Sequence, residues 1–467
     1  MDIIAPSILT KSLDLEDSKF FPRLMLLLLS LVSIVLYIIR PHEVSMVFTY
    51  FCFANFLLSI YFYYRLKAKK NFLDFDTIFI LLYAVIGFAY SVFIYNENEP
   101  FLIAFSLSFD TNFIPTGSIL FVIGIQAYFW GSIAVKEKMM RVEPMDGTTL
   151  KPVNNTVLSA IVILLSFGFV LSGGVQYYRS IYLYNNTASE TGLILQLMSL
   201  LLSFSVTAIA TEFYNKLIDK SYRLNPVLVV AISIIIILML YAGNRTLASQ
   251  LALPILGLYT MYFKDIGKLK IFIFAILATL GMWMIQFSRV GAQVESVENG
   301  AELIRDLTIP TRSTYSCMEY IEQNGYTYGK NMLGGIIGAV PSLERLLVQL
   351  FGLDSRSIGS AEVLTDFTLG PDPFVGLGTN VIADLFLSFG LPGVLFFMFL
   401  LGYFVNLNHY RAKMKHYYSI IIYASMMSFS VFLVRSTYTH PFRLIVWSLL
   451  IGLLNRSFSQ KLFDKTE

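Results

Sequence analysis

The sequence predicts an all-α polytopic membrane protein with about 12 transmembrane helices and a large extracytoplasmic loop containing short amphipathic helices. Three observations carry that prediction. The 467 residues are 56% hydrophobic and only 14% charged, against about a quarter charged in ordinary soluble domains. Mean hydropathy is +0.66. The apolar residues are blocked into runs of the length that spans hydrocarbon, roughly 18 residues or more.

In chain order the runs lie near 22–39, 45–64, 77–95, 117–135, 155–175, 191–212, 226–243, 246–263, 270–288, 391–407, 417–434 and 442–454. They read as one integral membrane domain, 1–467. The N-terminal MDIIAPSILTKSLDLEDSKF is polar and mixed in charge, without the pattern of a removable signal peptide. The two cysteines, Cys52 and Cys317, support neither a disulfide framework nor a thiolate metal site. Positive charge is scattered through loops, so nucleic acid is not an expected partner.

Side follows from charge, because short cytoplasmic loops concentrate Lys and Arg. The connections RLKAKK (65–70), KEKMMR (136–141), NKLIDKSYR (215–223), KDIGKLK (264–270) and HYRAKMKH (409–416) are all basic. With twelve crossings they all fall on one side together with both termini, which places the termini in the cytoplasm. On that topology Lys330 is the one outer lysine among 18, whereas ten of the 16 arginines are outer: Arg40, Arg179, Arg245, Arg289, Arg305, Arg312, Arg345, Arg356, Arg435 and Arg443. Topology uses either cation, so it does not explain the partition. Arginine's planar fork grips phosphate or carboxylate at two points and stays charged when partly buried. An outer face rich in Arg and poor in Lys therefore points to an anion, most simply a phosphate. Arg40, Arg179, Arg305 and Arg356 read as ordinary surface or helix-end arginines. Arg245 and Arg289 sit directly at outer helix ends and read as ligand-binding.

Residues 289–390 form the large outer connection. Apolar residues at 332, 333, 336, 337, 340, 343, 347 and 350 have helical spacing interrupted by Pro341, which reads as two short amphipathic helices. The following apolar piece, flanked by Gly376, Gly378, Gly390 and Gly393, carries Asp384 and reads as a re-entrant or broken helix. An acid there is either functional or an ion-pair partner of Arg435 or Arg443. The last outer turn, VRSTYTHPFR, packs Arg435, His440 and Arg443 between two helices. Asp74-Phe75-Asp76 has a metal-binding spacing but reads as helix capping. No other metal motif, phosphate-binding loop or nucleophile elbow is present, and neither a metal nor a cofactor is expected.

Several of these strings resemble one family. GLGTNVIADLFLSFGLPGVLFFMFLLGY (376–403), GYTYGKNMLGGIIGAVPS (325–342), GNRT (243–246) and the Arg435–Arg443 turn are similar to segments of Wzy-type O-antigen polysaccharide polymerases. The resemblance covers about the C-terminal half, and the first half is similar only in hydropathy. Two departures are Asp384, where the pattern has Glu, and Thr246, where it has Gly. The resemblance implies a metal-independent glycosyltransferase in the bacterial inner membrane. Its donor and acceptor are undecaprenyl-diphosphate-linked oligosaccharides, and it works among membrane lipids beside a chain-length regulator and a flippase. It implies diphosphate binding by Arg245, Arg289, Arg312, Arg435 and Arg443, and a general base at His440 or Asp384. The alternatives are an O-antigen ligase-like transferase using the same donor, or a flippase or transporter of lipid-linked oligosaccharide. Charge concentrated at one face, with nearly uncharged helix centres, favours the enzyme over the flippase.

Overall fold

The computed structural model describes residues 7–95, 105, 109–139, 151–184, 192–273, 276–277, 302–340, 343, 346, 349–350, 355–370, 373 and 376–463. Among them every regular element is helical. The helices are α1 (Ser7–Ile38), α2 (Met46–Lys67), α3 (Phe75–Phe88, continued by a π-helical turn, Ala89–Ile94), α4 (Phe113–Met139), α5 (Thr156–Leu171), α6 (Gly174–Tyr184), α7 (Gly192–Ile218), α8 (Pro226–Tyr241) and α9 (Arg245–Tyr262). There follow α10 (Glu302–Asn324), α11 (Leu333–Ile337), α12 (Ser360–Leu369), α13 (Val381–Lys413), α14 (Tyr417–Phe429) and α15 (Phe442–Phe463).

Among the described residues seven helices are long and apolar enough to cross a membrane: Lys19–Ile38, Met46–Lys67, Phe75–Ile94, Phe113–Val135, Gly192–Ile218, Val381–Lys413 and Phe442–Lys461. The apolar run at 155–175 forms a pair, α5 and α6, bent by 56°. The turn between them uses Gly173 at φ 79°, a backbone conformation that glycine adopts without a Cβ penalty. The runs at 226–243 and 417–434 form helices of 16 and 13 residues. The run at 270–288 lies mostly outside the described residues.

One pair organises the bundle. α4 and α13 run parallel, with Gly124 against Val394, Tyr128 against Gly402 and Gly131 against Phe399. A Cβ built on Gly131 would lie 2.0 Å from the Phe399 carbonyl oxygen, and one on Gly402 would lie 2.0 Å from that of Tyr128. Only glycine permits backbones to approach so closely, the device by which helices associate in lipid, where hydrophobic burial gives them no preference for each other. Polar clamps add to it. Gln126 of α4 donates to Asn55 (3.1 Å) and Ser59 (2.9 Å) of α2, and Asn55 donates to Ser33 of α1 (2.9 Å).

The basic connections meet at one end. Lys67 donates to Asn406, Lys415 to the Leu217 carbonyl (3.2 Å), Tyr262 to the Ala412 carbonyl (2.7 Å), and the Phe72 N–H to the Ile266 carbonyl (2.8 Å). The C-terminal end of α4 lies there too, because α4 is parallel to α13. The opposite end carries the start of α13, the turn before α15 and the segment 302–340.

That segment meets the expectation of helix on both sides of Pro341. Before it the described residues form a 3-10 turn, Lys330–Met332, and the single-turn α11, and beyond it the described residues 343, 346, 349 and 350 are helical. The longest element at this end is the 23-residue α10, whose buried residues include Thr308, Thr311, Arg312, Ser313, Thr314, Tyr315, Ser316, Cys317 and Met318.

Gly131→Ala and Gly402→Ala should each destabilise by about 1–3 kcal/mol through overpacking. Gly168→Ala, with nothing within 4 Å of the added Cβ, should be neutral or stabilise by up to about 1 kcal/mol. Thermal unfolding of the detergent-solubilised protein checks the contrast.

Candidate functional site

The site at the end away from the basic connections is built at the start of α13. Asn380 caps this helix, its side-chain oxygen accepting from Ile382 (3.1 Å) and Ala383 (2.9 Å) N–H groups. Its amide donates to the Pro310 carbonyl (2.6 Å) and the Thr314 hydroxyl (2.8 Å), fixing the cap against α10. One turn on, Asp384 is fully buried. One carboxylate oxygen accepts from the Asn331 amide at 2.7 Å, the other from the Tyr438 backbone N–H at 2.8 Å, and Ser360 lies against it. All of these partners are uncharged. The ion pair with Arg435 or Arg443 that the sequence left open is not how the described structure holds this carboxylate.

Asn331 is itself spent on the helix. Its amide also reaches the Asp384 carbonyl (3.2 Å), and its oxygen accepts from Thr327 and from Ser388 (3.0 Å). The expected broken helix is present. At Gly390 α13 has φ 63° and ψ −153°, and Pro392 follows. Pro392 has no N–H to donate back along the helix. The Leu387 carbonyl, near the end of the first half-helix, accepts instead from the Thr327 N–H (3.0 Å) and hydroxyl (3.1 Å). Tyr326 closes over Gly390, where a Cβ would come within 3.0 Å of its hydroxyl.

The turn before α15 is pinned by the same group. Beyond the Tyr438 N–H on Asp384, the Tyr438 hydroxyl donates to the Phe397 carbonyl (3.0 Å) and the Thr439 hydroxyl to the Met332 carbonyl (3.1 Å). Trp447 of α15 donates to the Ala339 carbonyl (2.8 Å). Asp384 thus joins three segments distant in sequence: 327–332, the start of α13, and the turn 434–441. His440 follows two residues after Tyr438, with its ring edge-on to Phe429 at 5.3 Å. It is exposed, and partial desolvation pushes its imidazole below the usual range.

The arginines separate into groups. Arg435 and Arg443, both half-buried, flank the pinned turn, and Arg435 lies over the Phe432 ring at 5.8 Å. Arg245 is half-buried at the first position of α9, behind the cap Asn244, which accepts from the Leu247 N–H (3.0 Å). Ser428 of α14 donates to Gln250 of α9 at 2.6 Å, which sets Arg245 at the same end of the bundle as the 434–443 turn. Arg312 does not join them. It is buried on α10, donating to Ser316 (2.7 Å), 3.7 Å from Glu319 and 4.6 Å over the Phe109 ring. Burial lowers its pKa from the usual guanidinium value. Arg289 lies outside the described residues. Arg40 and Arg179, read as ordinary, are held by Tyr37 with Thr116 and by Tyr241 respectively.

The other end holds a polar site that sequence reading divided wrongly. Asp74 does cap α3, accepting from the Thr77 N–H at 3.0 Å. Asp76 does not cap. It is buried and accepts from Tyr63 (2.6 Å), Tyr128 (2.5 Å) and Asn406 (3.3 Å), with Lys67 at 3.4 Å. Those partners come from three helices, so no local motif announces them. Among the described residues no three His, Cys, Asp or Glu side chains are grouped to hold a metal ion. Comparison with protein-family models, curated proteins and solved structures finds no match.

Asp384→Asn should destabilise the protein by about 1–3 kcal/mol, because an amide turns one donor toward the buried Asn331 amide or the Tyr438 N–H. Tyr438→Phe, which loses only the bond to Phe397, should cost about 0.5–1.5 kcal/mol. Thermal unfolding and proteolysis of the 325–340 segment measure both. His440 gives a pH signature. Its pKa is lowered in the folded protein, so the unfolded chain, near 6.5, binds more protons as pH falls through that value. Stability should therefore decline on acidification below about 6.5. The wild type should decline more steeply than His440→Gln, as read from denaturation at stepped pH.

Proposed function

We propose that this protein is a membrane glycosyltransferase that polymerises undecaprenyl-diphosphate-linked oligosaccharide units on the outer side of the bacterial cytoplasmic membrane. In this reading the chain crosses twelve times with both termini in the cytoplasm. The gathering of the basic connections at one end of the bundle favours it. The observation that carries the reading is the turn 434–443: Asp384 anchors it to the start of a broken helix, and it presents His440 between Arg435 and Arg443, with Arg245 at the same end.

The chemistry follows from those groups. A hydroxyl of the incoming unit attacks the anomeric carbon that joins the growing chain to its lipid. The bond from that carbon to the diphosphate oxygen breaks, and undecaprenyl diphosphate leaves with the electron pair. Arg245, Arg435 and Arg443 neutralise the charge that develops on the leaving group, and Arg289 is assigned with them. Arg312, already occupied by Ser316, Glu319 and Phe109, supports α10 instead. The proton of the attacking hydroxyl goes to a base, and His440 is favoured over Asp384 because its lowered pKa keeps the imidazole neutral and able to accept at neutral pH. Both oxygens of Asp384 already accept hydrogen bonds, so its part is to position the turn.

Two measurements test the assignment. Cells lacking the gene should accumulate single lipid-linked repeats, whereas long unligated chains would identify a ligase. Arg→Lys substitution separates the two-pronged grip from charge alone. Charge-assisted hydrogen bonds are worth roughly 1.5–3 kcal/mol, so Arg245→Lys, Arg435→Lys and Arg443→Lys should each lower polymerisation about 10- to 150-fold. Arg40→Lys and Arg179→Lys should change it little. Chain-length distribution at matched membrane protein level is the readout, and normal chains from all three site variants would overturn the assignment.

A further inference from the structure

At the end of the bundle opposite Asp384, the end of α2, the start of α3 and the C-terminal half of α13 enclose a cavity of about 250 Å³. The reaction proposed above has no use for it. Its acidic walls are already engaged. Asp76 takes donors from Tyr63, Tyr128, Asn406 and Lys67. Asp74 takes the Thr77 N–H and hydroxyl and the Lys69 ammonium, the last at 2.6 Å. Asp265 is the remaining acid on the lining.

The basic walls have capacity to spare. An ammonium carries three N–H donors. Lys69 places one hydrogen bond, on Asp74, and rests against the rings of Tyr64 and Phe72. Lys67 is shared between Asn406 (2.5 Å) and Asp76. The side chains of both are at least nine-tenths buried, 9% and 7% exposed. Lys70 and Lys413 reach the cavity from exposed positions, and the His409 ring lines it beside Tyr423. The remaining N–H donors of Lys69, beside an Asp74 Oδ1 that already accepts three hydrogen bonds, are open to an acceptor from outside.

We propose that this cavity binds a phosphate-bearing anion, gripped by Lys69, Lys70 and Lys413 with Lys67 behind them. Lysine serves phosphate as a compact point charge. At roughly 30 Å³ per water, the volume admits a phosphate group with a small substituent and some water. Burial alone pushes the Lys69 ammonium downward in pKa, but Asp74, Tyr64 and Asp76 outweigh it and the net shift is upward. Lys69 therefore stays charged at neutral pH. The anion is either a soluble phosphate or the headgroup of a lipid in the adjacent leaflet.

The test uses the full-length protein in nanodiscs of neutral lipid, titrated with inorganic phosphate and separately with dioctanoyl phosphatidate. Dioctanoyl phosphatidylcholine is the control, and thermal unfolding and calorimetry are the readouts. The variant is Lys70→Gln with Lys413→Gln, both exposed, so folding is not at risk; Lys69→Gln is the second. Binding of inorganic phosphate, weakened about tenfold or more in the double variant, supports a soluble ligand. Binding of phosphatidate alone, with the same sensitivity, supports a headgroup. Absence of binding by either, equal affinity in wild type and double variant, or equal binding of the phosphatidylcholine control overturns the proposal.

Discussion

The bundle depends on two backbones touching. In hydrocarbon, one apolar helix has no reason to prefer another over lipid, so contact must come from close packing and from polar groups that lipid does not satisfy. Gly131 and Gly402 place α4 and α13 backbone against backbone. Because the two helices are parallel, no short loop can join them, and the 241 positions from 140 to 380 must leave one end of the pair and return to the other. The rest of the chain is arranged around that requirement. α2 and α1 attach to α4 through Gln126, Asn55 and Ser33, and α14 attaches to α9 through Ser428 and Gln250.

At one end of this pair a buried carboxylate organises the surface. Asp384 has no cation beside it among its described partners. It is held by an amide, a backbone N–H and a neighbouring hydroxyl. Neutral donors are directional, so they fix position where a mobile ammonium would only fix charge. The result is a rigid support under the turn that carries His440. At the far end the opposite choice is made, with Asp76 buried beside Lys67 and accepting from Tyr63, Tyr128 and Asn406.

What the sequence made legible follows from what hydrocarbon demands. Apolar runs became helices because a backbone in lipid has no other way to satisfy itself, and the basic connections came together as their charge bias implied. The helix break at Gly390 was legible from Phe389-Gly390-Leu391-Pro392-Gly393. α10 was not, because five of the residues it buries, Thr308, Thr311, Ser313, Thr314 and Ser316, are small hydroxyl residues that dilute the hydropathy signal of Tyr315, Cys317 and Met318. Asp384 stood out as an acid in an apolar piece, but its partners Asn331 and Tyr438 lie more than 50 positions away on either side. Capping was legible at Asp74, where it is local. Asp76 was misread because its partners belong to tertiary packing.

The broken helix has a consequence for how this chain can change over evolutionary time. A helix interrupted inside a bundle leaves carbonyls that must find donors, and here Thr327 and Asn331 supply them from some 60 residues upstream. Repairing the helix at position 390 would leave Thr327 without its acceptor geometry. Losing Thr327 or Asn331 would leave the break uncapped. The two stretches therefore form one heritable unit split across the sequence, and viable descendants must keep or replace them together.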